Sequence, residues 1–291
     1  LSGRNPARRL TRSVADRAFD YVEAKRELDR RTSPLLKATL RTLWAEYHAA
    51  AARGGPLPSV WDTGLRVFSE HDEDGLVLFL LAVVGCDRRW FVDIGSGDGV
   101  HASNCANLAF NLGFHGLFVE ADEESVARGR AAYDRHPDTR GYAPRFVHAF
   151  ATAATVDATI REAGFQGDIA LLSVDIDGND YWIWKAIESV APRVVVIETH
   201  PEHGAEEVLA PYREDFDWRL APPGAAVGAS PAAMTRLAGE LGYRLVGGNR
   251  PGFNAVYLRN DLARDLVPSI EPAELSWHGR NEPFRRVAPE R

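Results

Sequence analysis

Residues 91–99 read FVDIGSGDG, an apolar strand running into a loop with glycine at every second position, Gly95, Gly97 and Gly99, and an acid on each side, Asp93 and Asp98. Glycine lacks a Cβ and tolerates positive φ, so the chain can turn sharply here and present backbone amides to a ligand. A dinucleotide-binding turn also follows a first strand, but its spacing is G-x-G-x-x-G and it aims a helix N-terminus at a pyrophosphate. Here the spacing is G-x-G-x-G, with Ser96 between the first two glycines, and the bracketing carboxylates would repel a pyrophosphate. They suit a cationic nucleoside carrying an amino group and a sulfonium. A further acid, Glu120 of LFVEAD, ends the next apolar run with Ala121 behind it, where a carboxylate can accept both ribose hydroxyls.

Four segments carry a resemblance: SEHDEDGLVLFLL from Ser69, FVDIGSGDG, LLSVDIDGNDYWIWKAI from Leu171 and VVVIETH from Val194. A fifth, from Gly228 to Leu262, closes the pattern. Together they resemble the class I S-adenosylmethionine-dependent methyltransferases, and within them the FkbM-like branch, over residues 69–262. The resemblance implies a doubly wound, seven-stranded Rossmann-like sheet with an antiparallel last strand, and S-adenosylmethionine as cofactor. It brings the EDG segment, Glu73 first, to the amino-acid end of the cofactor. Asn104 is expected at the same pocket, and Ala149 and Phe150 fall where adenine rests in this fold; an N-terminal helix cap is the rival account of Glu73, and a core position that of Phe150.

The rest of the chain reads in keeping. Apolar runs at 90–95, 116–120, 145–149, 168–175, 193–198, 242–247 and 254–259 alternate with helical patterns, the signature of a doubly wound sheet. The last two runs are joined only by GNRPGF and must be antiparallel neighbours. Two helices precede this core, one over 11–31 and one opened by Pro34 and stopped at Gly54 and Gly55. The division expected is an N-terminal helical cap or dimerisation segment, 1–60, a methyltransferase core, 61–262, and a C-terminal extension or lid, 263–291, with Trp277 and His278. The amphipathic N-terminal helices suit a homodimer.

Composition bounds the partners. The 291 residues carry a net charge of −7, and residues 1–53 hold 12 Lys/Arg against 6 Asp/Glu, which leaves the remainder strongly acidic. A nucleic-acid substrate needs a basic track to neutralise phosphates, so a small-molecule acceptor is expected instead. Cys86 and Cys105, the latter expected inside the first helix after the glycine loop, form no CxxC pair and read as reduced core thiols. No apolar run reaches a membrane span or a signal segment, which points to the cytoplasm.

Chemistry is expected just beyond the carboxyl ends of the strands. The fourth run ends VDIDGND, placing Asp175, Asp177 and Asp180 at the mouth of the cleft; a strand reaching Asp177 would put Asp175 and Asp177 on one face. A calcium loop of EF-hand type is excluded, because glycine is fourth rather than sixth and Ala186 occupies the twelfth place. The alternative is structural: Asn179 and Asp180 cap the next helix while Asp175 bonds backbone amides. The fifth run ends IETHPEH, adding Glu198, His200, Glu202 and His203. Oxygen ligands with one imidazole, Asp175, Asp177, Glu198 and His200, suit Mg2+ or Mn2+. The arrangement is similar to the catechol-type methyltransferases, which implies Asp175 as the strand-four ligand and Glu198 as the strand-five one. Those enzymes place a lysine base three residues after the strand-four acid, and here that residue is Gly178. His200 is the first choice of base because imidazole titrates near neutrality, with His203 second. The function expected is O-methylation of a small polyhydroxylated or secondary-metabolite acceptor, with divalent-metal assistance. The alternatives are metal-free N-methylation of a small amine or peptide, and a non-catalytic nucleotide-binding scaffold.

Overall fold

A computed structural model of the chain describes residues 14–277 apart from 204, 218, 219, 223 and 224. Its centre is the seven-stranded sheet that the alternating apolar runs predict: β1 (Trp90–Ile94), β2 (His115–Glu120), β3 (Arg145–His148), β4 (Gly167–Val174), β5 (Val190–Glu198), β6 (Tyr243–Gly248) and β7 (Asn254–Arg259). The order is β3-β2-β1-β4-β5-β7-β6. β1 to β5 are parallel, and β7 runs antiparallel to both β5 and β6, so the short GNRPGF connection is a hairpin.

The parallel strands are buried on both faces, which is why they read as continuous apolar runs rather than alternating ones. Phe91, Phe118 and Val194 face one core, and Val92, Leu117 and Val195 the other. Each such side chain, removed from water, contributes about 1.5–3 kcal/mol. The first face is covered by α3 (Glu73–Val84), α4 (Ala106–Leu112) and α5 (Glu123–Arg135); the second by α6 (Val156–Glu162), α7 (Asp180–Ala186), α8 (Pro231–Glu240) and α9 (Pro272–Trp277).

The two N-terminal helices, α1 (Val14–Arg31) and α2 (Pro34–Ala52), belong to the first face. Ser33 caps α2 by accepting from the Leu36 amide, and Pro34 occupies its first turn. α2 packs on α3 and α4 through Leu40, through Tyr47 edge-on to Phe79 at 5.1 Å, and through Trp44 edge-on to Phe114 at 6.0 Å. These helices form an outer layer on that face, α1 also lying against Asp98, Val100 and His101 of the loop after β1.

Most strand ends lie within one residue of the sequence reading, and two differences have a physical reason. β5 begins at Val190 rather than 193, with Pro192 inside it. Its pairing with β7 begins only at Val194, so the missing amide of Pro192 costs no bond on that side. The helix after the glycine loop begins at Ala106, with Cys105 as its N-cap residue rather than inside it; Cys105 is buried, Cys86 half-buried, and both are free thiols. Among the described residues no helix is long and apolar enough to cross a membrane.

Candidate active site

The tips of β1, β2, β3 and β4 open on a cavity of about 580 Å3 at the point where the strand order reverses between β1 and β4. Gly95, Glu120, Ala121, Ala149 and Phe150 line it, as do Asp175 and Asp177. Phe150 is 59% exposed and faces this space, so it is not a core residue.

Gly95, Gly97 and Gly99 all have positive φ, at 80°, 55° and 65°. A Cβ at Gly95 would collide with the carbonyl oxygen of Asp175, so this glycine admits the neighbouring strand tip rather than a ligand. The Gly97 amide donates to Glu120 Oε2 at 2.7 Å, and Glu120 Oε1 accepts from the Asp122 amide at 2.8 Å. The carboxylate is thereby held at the end of β2 with lone pairs to spare. Ser96 is buried, its hydroxyl against the Val119 carbonyl.

Other expected cofactor contacts lie elsewhere. Asp98 turns away from the cavity: it accepts from the amides of Val100 and His101 and pairs with His101 Nδ1 at 2.6 Å, on the side facing α1 and α5. Glu73 is wholly buried and accepts from Asn249 Nδ2 at 2.7 Å, Asn254 Nδ2 at 2.8 Å and the His71 amide at 2.9 Å. It clasps the start of α3 to the β6–β7 hairpin. Neighbouring Asp74 gathers the amides of Val67, Phe68 and Ser69 on one oxygen, and burial pushes its carboxyl up to about 6. Asn104 donates to Ser173 Oγ at 3.2 Å and lies beneath the glycine loop, outside the cavity lining. Asp93 lies at the end of β1, buried, its carboxyl pushed up to about 7 by loss of water against hydrogen bonds from Ser173, Cys105 and Ser103.

Three carboxylates converge at the tips of β4 and β5: Asp175, Asp177 and Glu198 each place an oxygen within 4.8 Å of the others. β4 itself stops at Val174, so Asp177 does not reach this cluster by strand alternation; it arrives through a turn in which its φ is 58°. Asp180 builds that turn by accepting from the amides of Ile176 and Gly178, both at 2.9 Å. The capping expected of Asn179 and Asp180 is not what they do: Asn179 is the N-cap residue of α7 without a side-chain cap bond, and Asp180 braces the turn that precedes the helix. Burial first, then the charges of Asp180 and Asp177, pushes the Asp175 carboxyl well up, and burial and Asp175 do the same to Glu198. Glu198 Oε2 is buried and has no hydrogen-bond partner.

These observations fit a divalent cation. An all-oxygen donor set with an orphaned buried oxygen and mutual repulsion suits a hard ion such as Mg2+ or Mn2+. His200 is not part of the cluster. Its Nδ1 bonds Glu202 Oε1 at 2.9 Å and its ring edge lies against Gly228. His203 ends the short turn Pro201–His203, and neither histidine lines the cavity. Both imidazoles thus lie outside the carboxylate cluster and the cavity wall.

The cavity has a roof that sequence patterning did not find. The connection from β5 to α8 crosses above it and contributes Glu214, Asp215, Phe216 and Asp217 to the wall. Trp182 Nε1 donates to the Ala210 carbonyl at 3.0 Å, Asn179 Nδ2 to the Arg213 carbonyl at 2.7 Å, and the Ala153 amide to Tyr212 Oη at 3.2 Å. Trp182 thus packs on this connection, not on the N-terminal helices. Phe216 lies on Gly178, whose φ is 148°; a Cβ there would strike both the Phe216 ring and the Val227 carbonyl. The position where the catechol-type pattern has lysine is filled by a phenylalanine from another segment. The one cue in the sequence is an acid-rich loop with a lone aromatic, REDFD at 213–217.

The C-terminal lid reading falls largely outside the described residues: His278 and all that follows lie beyond them. The described part ends in α9, which packs on α8 and β6 and touches the Pro201–His203 turn.

No family model and no curated protein matches the chain. Solved structures with a similar chain path include the CcbJ methyltransferase from Streptomyces caelestis, at 17% identity and a TM-score of 0.42 over 66% of this chain and 90% of that one. Magnesium protoporphyrin IX methyltransferase (ChlM) from Synechocystis PCC 6803, solved with bound SAM, follows at 14% identity and 0.38, over 64% and 77%. WbdD matches at 17% identity and 0.37, over 62% of this chain but only 38% of WbdD. These are distant likenesses, and the functional reading rests on the site's own residues.

Proposed function

We propose that the chain is a class I S-adenosylmethionine-dependent methyltransferase of the FkbM-like type that methylates a hydroxyl of a small acceptor with the help of a divalent cation. The observation that carries this reading is the convergence of Asp175, Asp177 and Glu198 beside a cavity whose other wall holds Glu120 and Phe150. On this reading Glu120 takes the ribose hydroxyls and Ala121, Ala149 and Phe150 the adenine, while buried Asp93 supports the amino-acid end from beneath. The bound cofactor supplies an electrophilic methyl on a sulfonium. Asp175, Asp177 and Glu198 would hold Mg2+ or Mn2+, which lowers the pKa of a ligated hydroxyl and orients it.

The residues then have separate tasks. The acids would hold the acceptor oxygen through the cation beside the cofactor pocket, and the roof would keep water out. As the O–C bond forms and the C–S bond breaks, the electron pair goes to sulfur and the hydroxyl proton must leave. With Asp175 and Glu198 engaged on the cation and neither histidine in the cavity wall, the proton of the acidified hydroxyl would pass to solvent. The exposed outer side of α2 suits a homodimer contact, which sedimentation would test.

The test is Asp175→Asn. Methyl transfer to an accepted substrate should fall by at least about a hundredfold while S-adenosylhomocysteine still binds in calorimetry, and EDTA should reproduce the loss in the unaltered enzyme. An Asp175→Asn enzyme of normal rate, or full activity in EDTA, removes the metal from the reading.

A further inference from the structure

The chain that roofs the cavity leaves and returns at one place. Leu209 pairs with Ala229, the Ala210 amide donates to the Gly228 carbonyl at 2.8 Å, and the Ser230 amide donates to the Val208 carbonyl at 2.8 Å. Residues 210–228 are thus an excursion whose two limbs are fastened together beside the start of α8, which Ser230 caps. Both limbs come to rest on Gly178, the outgoing one through the Phe216 ring and the returning one through the Val227 carbonyl.

The excursion does not stay over the strand it leaves. In the order β3-β2-β1-β4-β5 it departs from β5 and reaches back to the far side of the cavity. Asn179, after β4, donates to the Arg213 carbonyl, and Ala153, in the loop after β3, donates its amide to Tyr212 Oη. The strap between these anchors crosses above β1 and β2, whose tips carry the glycine loop and Glu120. Phe216 lines the same cavity as Glu120 and Phe150, whereas Glu198 at the tip of β5 is not in that wall. A nucleoside with its ribose on Glu120 and its base against Phe150 therefore lies under the strap. Phe216 is only half-buried despite its seat on Gly178, so part of the ring remains available to a ligand. An aromatic ring against the π-face of a base typically strengthens binding by about tenfold.

We propose that Phe216 is a cofactor-binding residue: its ring packs on the nucleoside of S-adenosylmethionine and closes, from the β4 side, the pocket that Phe150 walls from the β3 side. This rests on the methyltransferase reading and adds to it a cofactor contact supplied by the segment after β5.

The test titrates the full chain calorimetrically with S-adenosylhomocysteine and, separately, with 5′-methylthioadenosine, which keeps the nucleoside and lacks the amino-acid end. Phe216→Ala should weaken both by about tenfold, and Phe216→Tyr, which keeps the ring, should hold both within about threefold of the unaltered chain. Phe216→Leu fills the seat on Gly178 without a ring, so it should recover the denaturation midpoint and not the affinity. Should Phe216→Ala not fold, the comparison of the Leu and Tyr variants decides alone. Unchanged affinities in Phe216→Ala, affinity fully recovered by Phe216→Leu, or a loss confined to S-adenosylhomocysteine overturns the proposal. So does a chain that binds S-adenosylhomocysteine but ignores methylthioadenosine at millimolar concentration. If the unaltered chain gives no heat with S-adenosylhomocysteine, the cofactor reading itself fails and this assignment goes with it.

Discussion

At the scale of single residues, Gly178 and Glu73 show how one position can be assigned by what a neighbour requires. Gly178 combines a φ of 148° with a phenylalanine ring and a carbonyl where a Cβ would go. Gly178→Ala should lower stability by about 1–3 kcal/mol in urea denaturation and weaken S-adenosylhomocysteine binding, because the roof must lift. Gly97→Ala is the control: its φ is 55° with open space around it, so the cost should stay near about 1 kcal/mol. Glu73 was expected at the cofactor, yet it is spent on two asparagines and an amide. Glu73→Gln should lower the denaturation midpoint by an amount corresponding to about 1–3 kcal/mol with little change in S-adenosylhomocysteine affinity; a large affinity loss at unchanged stability would restore the cofactor role. Asp175, Glu198 and Glu120 were legible because each ends an apolar run, and a strand tip is a defined place in this fold. The partnership of Glu73 with residues more than 170 positions away was not, since no local pattern encodes it.

Among elements, the β5–α8 connection behaves as a built part of the site. The bonds from Trp182, Asn179 and Ala153 help to hold its cavity-side stretch, so deleting one should loosen it without unfolding the sheet. Trp182→Phe removes the indole donor to Ala210 and should cost about 1 kcal/mol while making residues 205–217 more sensitive to limited proteolysis; S-adenosylhomocysteine should restore protection. Resistance equal to that of the unaltered protein would mean the bond does not hold the roof. This connection was illegible because it has neither a helical nor a strand period, and its anchors are single side chains on distant elements. The sheet was legible for the opposite reason: burial on both faces writes unbroken apolar runs. Only at β5 did the reading start more than one residue late, where Pro192 looks like a boundary and is in fact tolerated because β7 has not yet joined. The helix after the glycine loop was placed too early for a related reason, because residues 100–105 are bends tied down by Asp98 and Ser103.

For the whole molecule, the balance of perturbed acids sets how stability varies with pH. Asp74 and Asp93 are buried, and burial raises their carboxyls to about 6 and about 7 from an ordinary 3.8. The folded chain therefore binds more protons than the unfolded one between about pH 4 and pH 7, and its unfolding free energy must fall as pH rises through that window. Acids held below their usual range, such as Asp168 between Arg193 and Arg259, act in the opposite sense but at lower pH. Denaturation midpoints should thus be higher near pH 5.5 than near pH 8, and Mg2+ should raise the midpoint more at pH 8, where protons no longer compete for the acids at the strand tips. A profile that rises from pH 5.5 to 8 would contradict this assignment. The placement of Phe216 on Gly178 carries a kinetic corollary. On the proposed function, lifting that ring to let the spent nucleoside out would also free the backbone carrying Asp177, so departure of product and dissolution of the reactive geometry would be a single motion, and each turnover would have to rebuild the centre before the next acceptor is aligned.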